Sequence, residues 1–175
     1  MKSQQNKYLH QEFWVLTFGA AFQHANIYKS GVVDKDRANF KFMLRGYIEN
    51  TIVPQYKKAV NEEQHIANLI SVVSYSENFH KILQNGKINI GVAQKLLNLF
   101  FKYLWCINEI KTPPHFPVDR LIQKNAIKNQ PIISWTKMTK VETYMQIINQ
   151  AREIAKEQHL SLASWELDNY RRSEP

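Results

Sequence analysis

The spacing of apolar residues predicts helices along almost the whole chain. Apolar side chains recur three and four residues apart, which is typical of one face of an α-helix. The helices predicted in this way run from Tyr8 to about Tyr28, from Asp34 to Pro54, from Asn61 to Asn85-Gly86, from Gly91 to Ile107, from Val141 to Ile154, and onward from Ser161. No stretch alternates apolar and polar residues as a half-buried strand does. The pattern predicts one compact all-α domain, residues 1–175, of about six to eight helices, with residues 1–7 flexible.

The helix from Gly91 to Ile107 is apolar nearly all round, which predicts that it is the central helix of the domain. Its polar positions form a stripe of Lys95, Asn98 and Lys102, spaced by three and four residues. Two interpretations of this stripe stay open. It is either the solvent-facing edge of the helix or the place where Lys95 contributes an amine to a site.

A rigid segment rich in proline follows this helix and leads to Asp119. Pro113, Pro114 and Pro117 restrict the backbone there, and Asp119 begins the helical sequence RLIQK. Asp119 therefore has two candidate roles, as the N-cap of that helix or as a carboxylate in a site shared with Lys95.

The charge of the chain favours a polyanionic partner. The 175 residues carry a formal net charge of +8, which is the electrostatic property expected of a nucleic-acid-binding protein. The most basic segment, residues 111–140, contains six lysines and arginines against one acid, Asp119. The candidate nucleic-acid contacts in this segment are Arg120, Lys124, Lys128, Lys137 and Trp135. Trp135 either stacks on a base or fills the core from a loop.

Other function classes find little support in the sequence. Cys106 is the only cysteine and the six histidines are scattered, so we predict no metal site and no cofactor. The first residues lack the apolar run of a secretion signal, and no window holds 18 uninterrupted apolar residues. These features predict a cytoplasmic protein without a membrane span.

Two short motifs resemble those of a known family. Gly91-Val92-Ala93-Gln94-Lys95 is similar to the hairpin signature Gly-aliphatic-Gly-any-Lys of the helix-hairpin-helix DNA glycosylases. Pro117-Val118-Asp119, which ends 24 residues after Lys95, is similar to the segment that carries their essential aspartate. The resemblance covers residues 86–125.

The resemblance implies a helix-hairpin-helix element, a role in DNA repair, and catalysis on a damaged or modified base. Lys95 would be the Schiff-base nucleophile and Asp119 its electrostatic partner. The backbone at Gly91, Val92 and Ala93 would hold a DNA phosphate, since N–H groups at a glycine turn and a helix N-terminus bind anions. DNA rather than RNA would be the partner.

Two other hypotheses remain. The first is a non-catalytic all-α module whose basic face docks nucleic acid or an acidic protein. The second is an accessory protein that packs its aromatic first helix against another protein or a second copy of itself. Exposure of Phe13, Trp14 and Phe18 as one contiguous patch would favour the second.

Overall fold

The computed structural model describes residues 3–127 and 131–170. Within these ranges the chain forms seven α-helices and no strand, in one compact all-α domain, which confirms the predicted fold class. The helices are α1 (Gln4–Phe22), α2 (Asp34–Tyr47), α3 (Glu62–Ser76), α4 (Ile90–Cys106), α5 (Arg120–Ala126), α6 (Val141–Glu157) and α7 (Leu162–Asn169). No helix in the described ranges is long and apolar enough to cross a membrane.

Helix α1 begins earlier than the apolar pattern predicted. The side chain of Ser3 accepts a hydrogen bond of 3.2 Å from the backbone N–H of Asn6 and so caps the helix at its N-terminus. Residues 4–7, predicted to be flexible, therefore belong to α1. Met1 and Lys2 lie outside the described residues. Because the segment before Tyr8 is polar, apolar spacing gives no signal for this helix start.

Helices α2 and α3 end earlier than predicted. After Tyr47 the backbone widens into a π-helical segment, Ile48–Ile52, and then tightens into a 3-10 helix, Val53–Lys57, that contains Pro54. Helix α3 ends at Ser76, whose hydroxyl oxygen accepts a 3.0 Å hydrogen bond from the N–H of Ile88. Gly86 was predicted to end this helix, but it lies ten residues beyond, in a turn with a φ of +73°.

Helix α4 is the centre of the core, as predicted from its apolar surface. It packs against α1, α3 and α6. The ring of Phe100 stacks on Trp14 of α1 with 4.0 Å between centroids. Trp14 and Phe18 are buried and Phe13 is half-buried. These three side chains therefore do not form the exposed patch that would have favoured the accessory-protein hypothesis.

Candidate active site

The N-terminus of α4 is packed closely against the loop that contains Trp135. Asn89 caps the helix by accepting a 2.8 Å hydrogen bond from the N–H of Val92, and its amide donates to the carbonyl of Thr136. A Cβ atom built on Gly91 would lie 1.7 Å from the carbonyl oxygen of Trp135. Glycine is therefore required at position 91 because another part of the backbone occupies the space of a side chain.

The predicted phosphate contact at Gly91, Val92 and Ala93 finds no free donor in this structure. The N–H of Gly91 donates to the carbonyl of Met138 at 2.9 Å, and the N–H of Ala93 donates to the carbonyl of Asn89 at 3.0 Å. The N–H of Val92 is bonded to the Asn89 side chain, and all three residues are buried. Gly91 thus allows the Trp135 loop to pack against the start of α4. All three N–H groups already donate to acceptors within the chain, so none is free for a phosphate.

The structure brings Lys95 and Asp119 into direct contact. The Nζ atom of Lys95 lies 2.6 Å from Oδ2 of Asp119, and both residues are at least nine-tenths buried. The second oxygen of Asp119 accepts a 2.9 Å hydrogen bond from the N–H of Ile122 at the start of α5. Asp119 is thus both the N-cap of α5 and the partner of Lys95, so the two roles considered for it coexist.

Two amide side chains of α4 hold the proline-rich segment in place. Gln94 donates to the carbonyl of Val118 at 2.8 Å and accepts from its N–H at 2.9 Å. Asn98 donates to the carbonyl of Phe116 at 2.8 Å. Because these bonds fix the backbone just before Asp119, they also fix the position of its carboxylate. Gln94 was not among the predicted site residues, although a glutamine in an apolar helix one position before Lys95 was a usable signal.

The polar stripe of α4 faces into the molecule. Lys95 and Asn98 are buried and Lys102 is half-buried, so the interpretation of this stripe as a solvent-facing edge is wrong. Lys102 pairs with Glu166 of α7, with 2.7 Å between Nζ and Oε2. Its ammonium also lies 4.3 Å from the centre of the Tyr170 ring.

Lys95 and Lys102 line the same cleft, which lies between α1, α4 and the end of α7. The cleft has a volume of about 370 Å³, within the range of small-molecule sites. Its walls combine the two lysines and Glu166 with aliphatic and aromatic side chains, namely Leu16, Ala20, Leu99, Tyr103, Pro117, Leu167 and Tyr170. An apolar cleft with a few convergent charged groups is the usual form of a binding or active site.

The charged groups of this cleft influence one another. Burial raises the pKa of Glu166, and the Lys102 ammonium opposes that rise. Asp119 raises this pKa further by like-charge repulsion, while Lys95 lowers it. The two ion pairs therefore form one electrostatic unit of two amines and two carboxyl groups. Neither Lys102 nor Glu166 was predicted as a site residue, because their partnership depends on how α7 packs on α4.

Two of the remaining predicted residues, Arg120 and Trp135, line a second cleft. Trp135 is only 8% exposed, which supports its interpretation as a core residue, but it also lines a cleft of about 520 Å³ together with His24, Arg120, Ile132, Ser134 and Thr136. Arg120, Lys124 and Lys137 are exposed. Lys128 lies outside the described residues.

The two clefts are lined by residues that are close in the chain. Ala20 of α1 lines the first, and His24, in the turn after α1, lines the second. Pro117 lines the first and Arg120 the second, with Asp119 between them in the chain. Lys95 lines the first cleft, and its partner Asp119 adjoins in sequence the residue Arg120 that lines the second.

Comparison of the chain with protein-family models, curated proteins and solved structures found no significant match in any of the three. In the described ranges, no group of three or more histidine, cysteine, aspartate or glutamate side chains is arranged to hold a metal ion.

Proposed function

We propose that this protein binds nucleic acid and acts as a DNA glycosylase/lyase-like enzyme on a damaged or modified base. The observation that carries the proposal is the 2.6 Å contact between the Lys95 amine and the Asp119 carboxylate beside a cleft of about 370 Å³. An amine that lines this cleft, with an acid in contact with it, provides the two groups that this chemistry needs.

The reaction begins with a neutral amine. Transfer of one ammonium proton to the Asp119 carboxylate exposes the lone pair of Lys95. This lone pair attacks C1′ of a nucleotide that has left the base stack, so that the Nζ–C1′ bond forms. The glycosidic bond breaks, and the departing base takes its electron pair and the proton that Asp119 received. The sugar ring then opens between C1′ and O4′, and O4′ takes one of the two protons on Nζ as the protonated C1′=N Schiff base forms.

The surroundings of the pair suit the binding step. Arg120, which lines the second cleft, is exposed, and so are Lys124 and Lys137. Exposed cations contact phosphates without reading sequence. The first cleft is lined by Tyr103 and Tyr170 together with aliphatic side chains, an environment into which an extruded base can transfer. Phosphate binding rests on these side chains, since the amides of Gly91, Val92 and Ala93 are occupied.

Borohydride trapping tests the proposal. An oligonucleotide with an abasic site is incubated with the protein and sodium borohydride, and the covalent adduct is resolved by denaturing electrophoresis. We expect an adduct with the wild type that Lys95→Gln abolishes. Lys87→Gln is the matched control, because Lys87 is an exposed lysine paired with Glu77. An adduct that persists in Lys95→Gln, or none with any variant, would overturn the enzymatic proposal.

One observation favours the non-catalytic alternative. Both carboxylate oxygens of Asp119 are engaged, one by Lys95 and one by the N–H of Ile122, as they would be if the pair only fixed α5 to α4. A binding module would show an affinity for nucleic acid that falls with salt and that Lys95→Gln leaves nearly unchanged. Titration of a labelled oligonucleotide at several salt concentrations distinguishes this outcome from catalysis.

A further inference from the structure

An apolar groove lies between α1 and α2. It is on the side of α1 opposite to the cleft that Lys95 and Lys102 line. It has a volume of about 390 Å³. The side chains and backbone that line it are Gln11, Trp14, Val15, Phe18 and Gly19 of α1, and Lys41, Phe42 and Arg45 of α2. Trp14 and Phe18 are buried and form its floor, whereas Phe42 is 72% exposed and Val15 60% exposed. Large apolar side chains exposed beside an apolar groove mark interaction surfaces.

Gly19 contributes open space to this groove. A Cβ atom at Gly19 would meet nothing within 4 Å, so no packing within the described chain requires a glycine there. In a helix interior glycine costs about 1 kcal/mol relative to alanine. The absence of a side chain at this position leaves room for another molecule to approach α1 closely.

The length and chemistry of the groove favour a helix as its occupant. Its α1 side extends from Gln11 to Gly19, about 12 Å at 1.5 Å per residue. This matches the stretch covered by anchors at i, i+3, i+4 and i+7 of a bound helix. Because α1 and α2 use their main-chain groups in their own hydrogen bonds, they offer no edge to an extended peptide. A helix, which also satisfies its own backbone, fits such a surface.

The charges at the rim of the groove indicate which charge a bound helix should carry. The charged residues that line the groove in the described part of the chain are both cations, Lys41 and Arg45. Arg45 donates to Glu49 at 3.2 Å, and the Lys41 ammonium lies 5.8 Å from the centre of the Phe18 ring. A second copy of the chain would bring the same cations face to face across a two-fold axis, which is unfavourable. Since Arg45 is already paired with Glu49, Lys41 is the rim cation with which acidic residues beside a partner's apolar face would pair.

We infer that the α1–α2 groove is a docking site for an amphipathic helix of an acidic partner protein, with Phe42 as the principal contact. The inference is independent of the proposed chemistry at Lys95, because that pair lies in a different cleft. Loss of one function by mutation therefore leaves the other measurable.

Two designed helical peptides test the inference. Both carry a fluorescein label and the same leucine stripe at i, i+3, i+4 and i+7, and the stripe is flanked by glutamates in one peptide and by lysines in the other. Fluorescence anisotropy gives their affinities for the full chain. We expect the glutamate peptide to bind at least about tenfold more tightly, and Lys41→Glu to reduce that preference.

Variants of the chain identify the surface. Phe42→Ala is expected to weaken binding of the glutamate peptide by about tenfold or more, as for a central contact residue. Gly19→Leu should weaken it by filling the groove. Ile70→Ala is the control, since Ile70 is an exposed apolar residue of α3 outside the groove, and it should leave the affinity unchanged. Circular dichroism verifies that each variant is folded.

Three results would overturn the inference. The first is that neither peptide binds or that both bind equally. The second is that Phe42→Ala and Ile70→Ala have the same effect. The third is a concentration-dependent dimer in sedimentation equilibrium that Phe42→Ala dissociates, since this would make a second copy of the chain the occupant.

Discussion

Single residues decide two features of the site: the close approach at Gly91 and the charge balance at Lys95. Gly91 admits the carbonyl of Trp135 to the start of α4. Lys95 neutralises a carboxylate that also caps α5. Lys95 also lines the cleft, and each of the two positions allows a substitution whose effect follows from its contacts.

Gly91→Ala is expected to destabilise the protein. The added methyl group would lie 1.7 Å from a backbone oxygen, so either the loop or the helix start must move, at a cost of about 1–3 kcal/mol. Gly46→Ala is the control, because a Cβ at Gly46 of α2 meets nothing within 4 Å. It should stabilise by about 0.4–1 kcal/mol. Urea denaturation measures both, and equal effects of the two substitutions would contradict this account of Gly91.

Lys95→Met is expected to destabilise the protein by about 3–5 kcal/mol, because it leaves the Asp119 carboxylate buried without its cation. Adding Asp119→Asn to this variant removes the uncompensated charge while keeping an N-cap side chain. The double variant should therefore be more stable than Lys95→Met alone, and a double-mutant cycle in urea measures the coupling. Strictly additive effects would show that the two groups do not interact.

At the scale of elements, the site depends on how α4 holds the proline-rich segment and α7. Gln94 bonds both main-chain groups of Val118, and Lys102 connects α4 to Glu166 of α7. The carboxyl group of Asp119 can face Lys95 because the segment before it is fixed in this way.

Gln94→Glu is expected to loosen the proline-rich segment. A carboxylate can still accept from the N–H of Val118, but it cannot donate to the Val118 carbonyl, so a buried acceptor loses its partner. The expected cost is about 1–3 kcal/mol, with faster hydrogen exchange at Val118 than in the wild type. Gln64→Glu, on α3, is the matched control. Unchanged hydrogen exchange at Val118 would indicate that the Gln94 hydrogen bonds do not hold the proline-rich segment.

The sequence predicted the elements better than it predicted their contacts. Apolar spacing predicted the all-α class and the central helix α4, because both follow from local periodicity. Motif spacing suggested that Lys95 and Asp119 meet. Lys102 and Glu166 escaped prediction, because their contact joins residues 64 positions apart in the chain. The hydrogen bond of the Gly91 N–H could not be predicted for the same reason, since its acceptor is the carbonyl of Met138, which is distant in the chain.

At the scale of the whole molecule, a largely buried polar network links α3, α6, the 3-10 helix Val53–Lys57 and the proline-rich segment. Nδ1 of His65 lies 2.7 Å from the hydroxyl of Tyr56. His115 lies between the hydroxyl of Tyr144 at 2.9 Å and Glu62 at 2.8 Å, and Glu62 also pairs with Arg152 of α6. The rings of the two histidines are 4.7 Å apart.

This network predicts a loss of stability in acid. Burial lowers the pKa of His115 to about 4, although Glu62 opposes this shift, and burial together with His115 lowers the pKa of His65 well below 6.5. A histidine whose pKa is lowered by folding binds a proton more readily when unfolded. The free energy of unfolding should therefore fall as the pH drops below about 6.5, by up to about 1.4 kcal/mol per pH unit and histidine.

Two carboxyl groups modify this pH profile in opposite directions. The pKa of Glu62 is lowered by His115 and Arg152 against the effect of burial, so its contribution is also lost in acid. The pKa of Glu166 is raised by burial, so its protonation partly offsets the loss. Urea denaturation between pH 7 and pH 4.5 measures the slope. His24→Asn, at an exposed histidine, should leave it unchanged, and a wild-type stability that is flat with pH would contradict the prediction.

Peptide mapping of the borohydride-reduced adduct identifies the lysine that forms the Schiff base. The wild-type protein is trapped on an oligonucleotide with an abasic site, digested with nuclease and protease, and analysed by tandem mass spectrometry. We expect the reduced sugar remnant on Lys95 and no modification of Lys102, which lines the same cleft. A remnant on any other lysine, or no adduct at all, would contradict the claim that the Lys95–Asp119 pair performs amine chemistry.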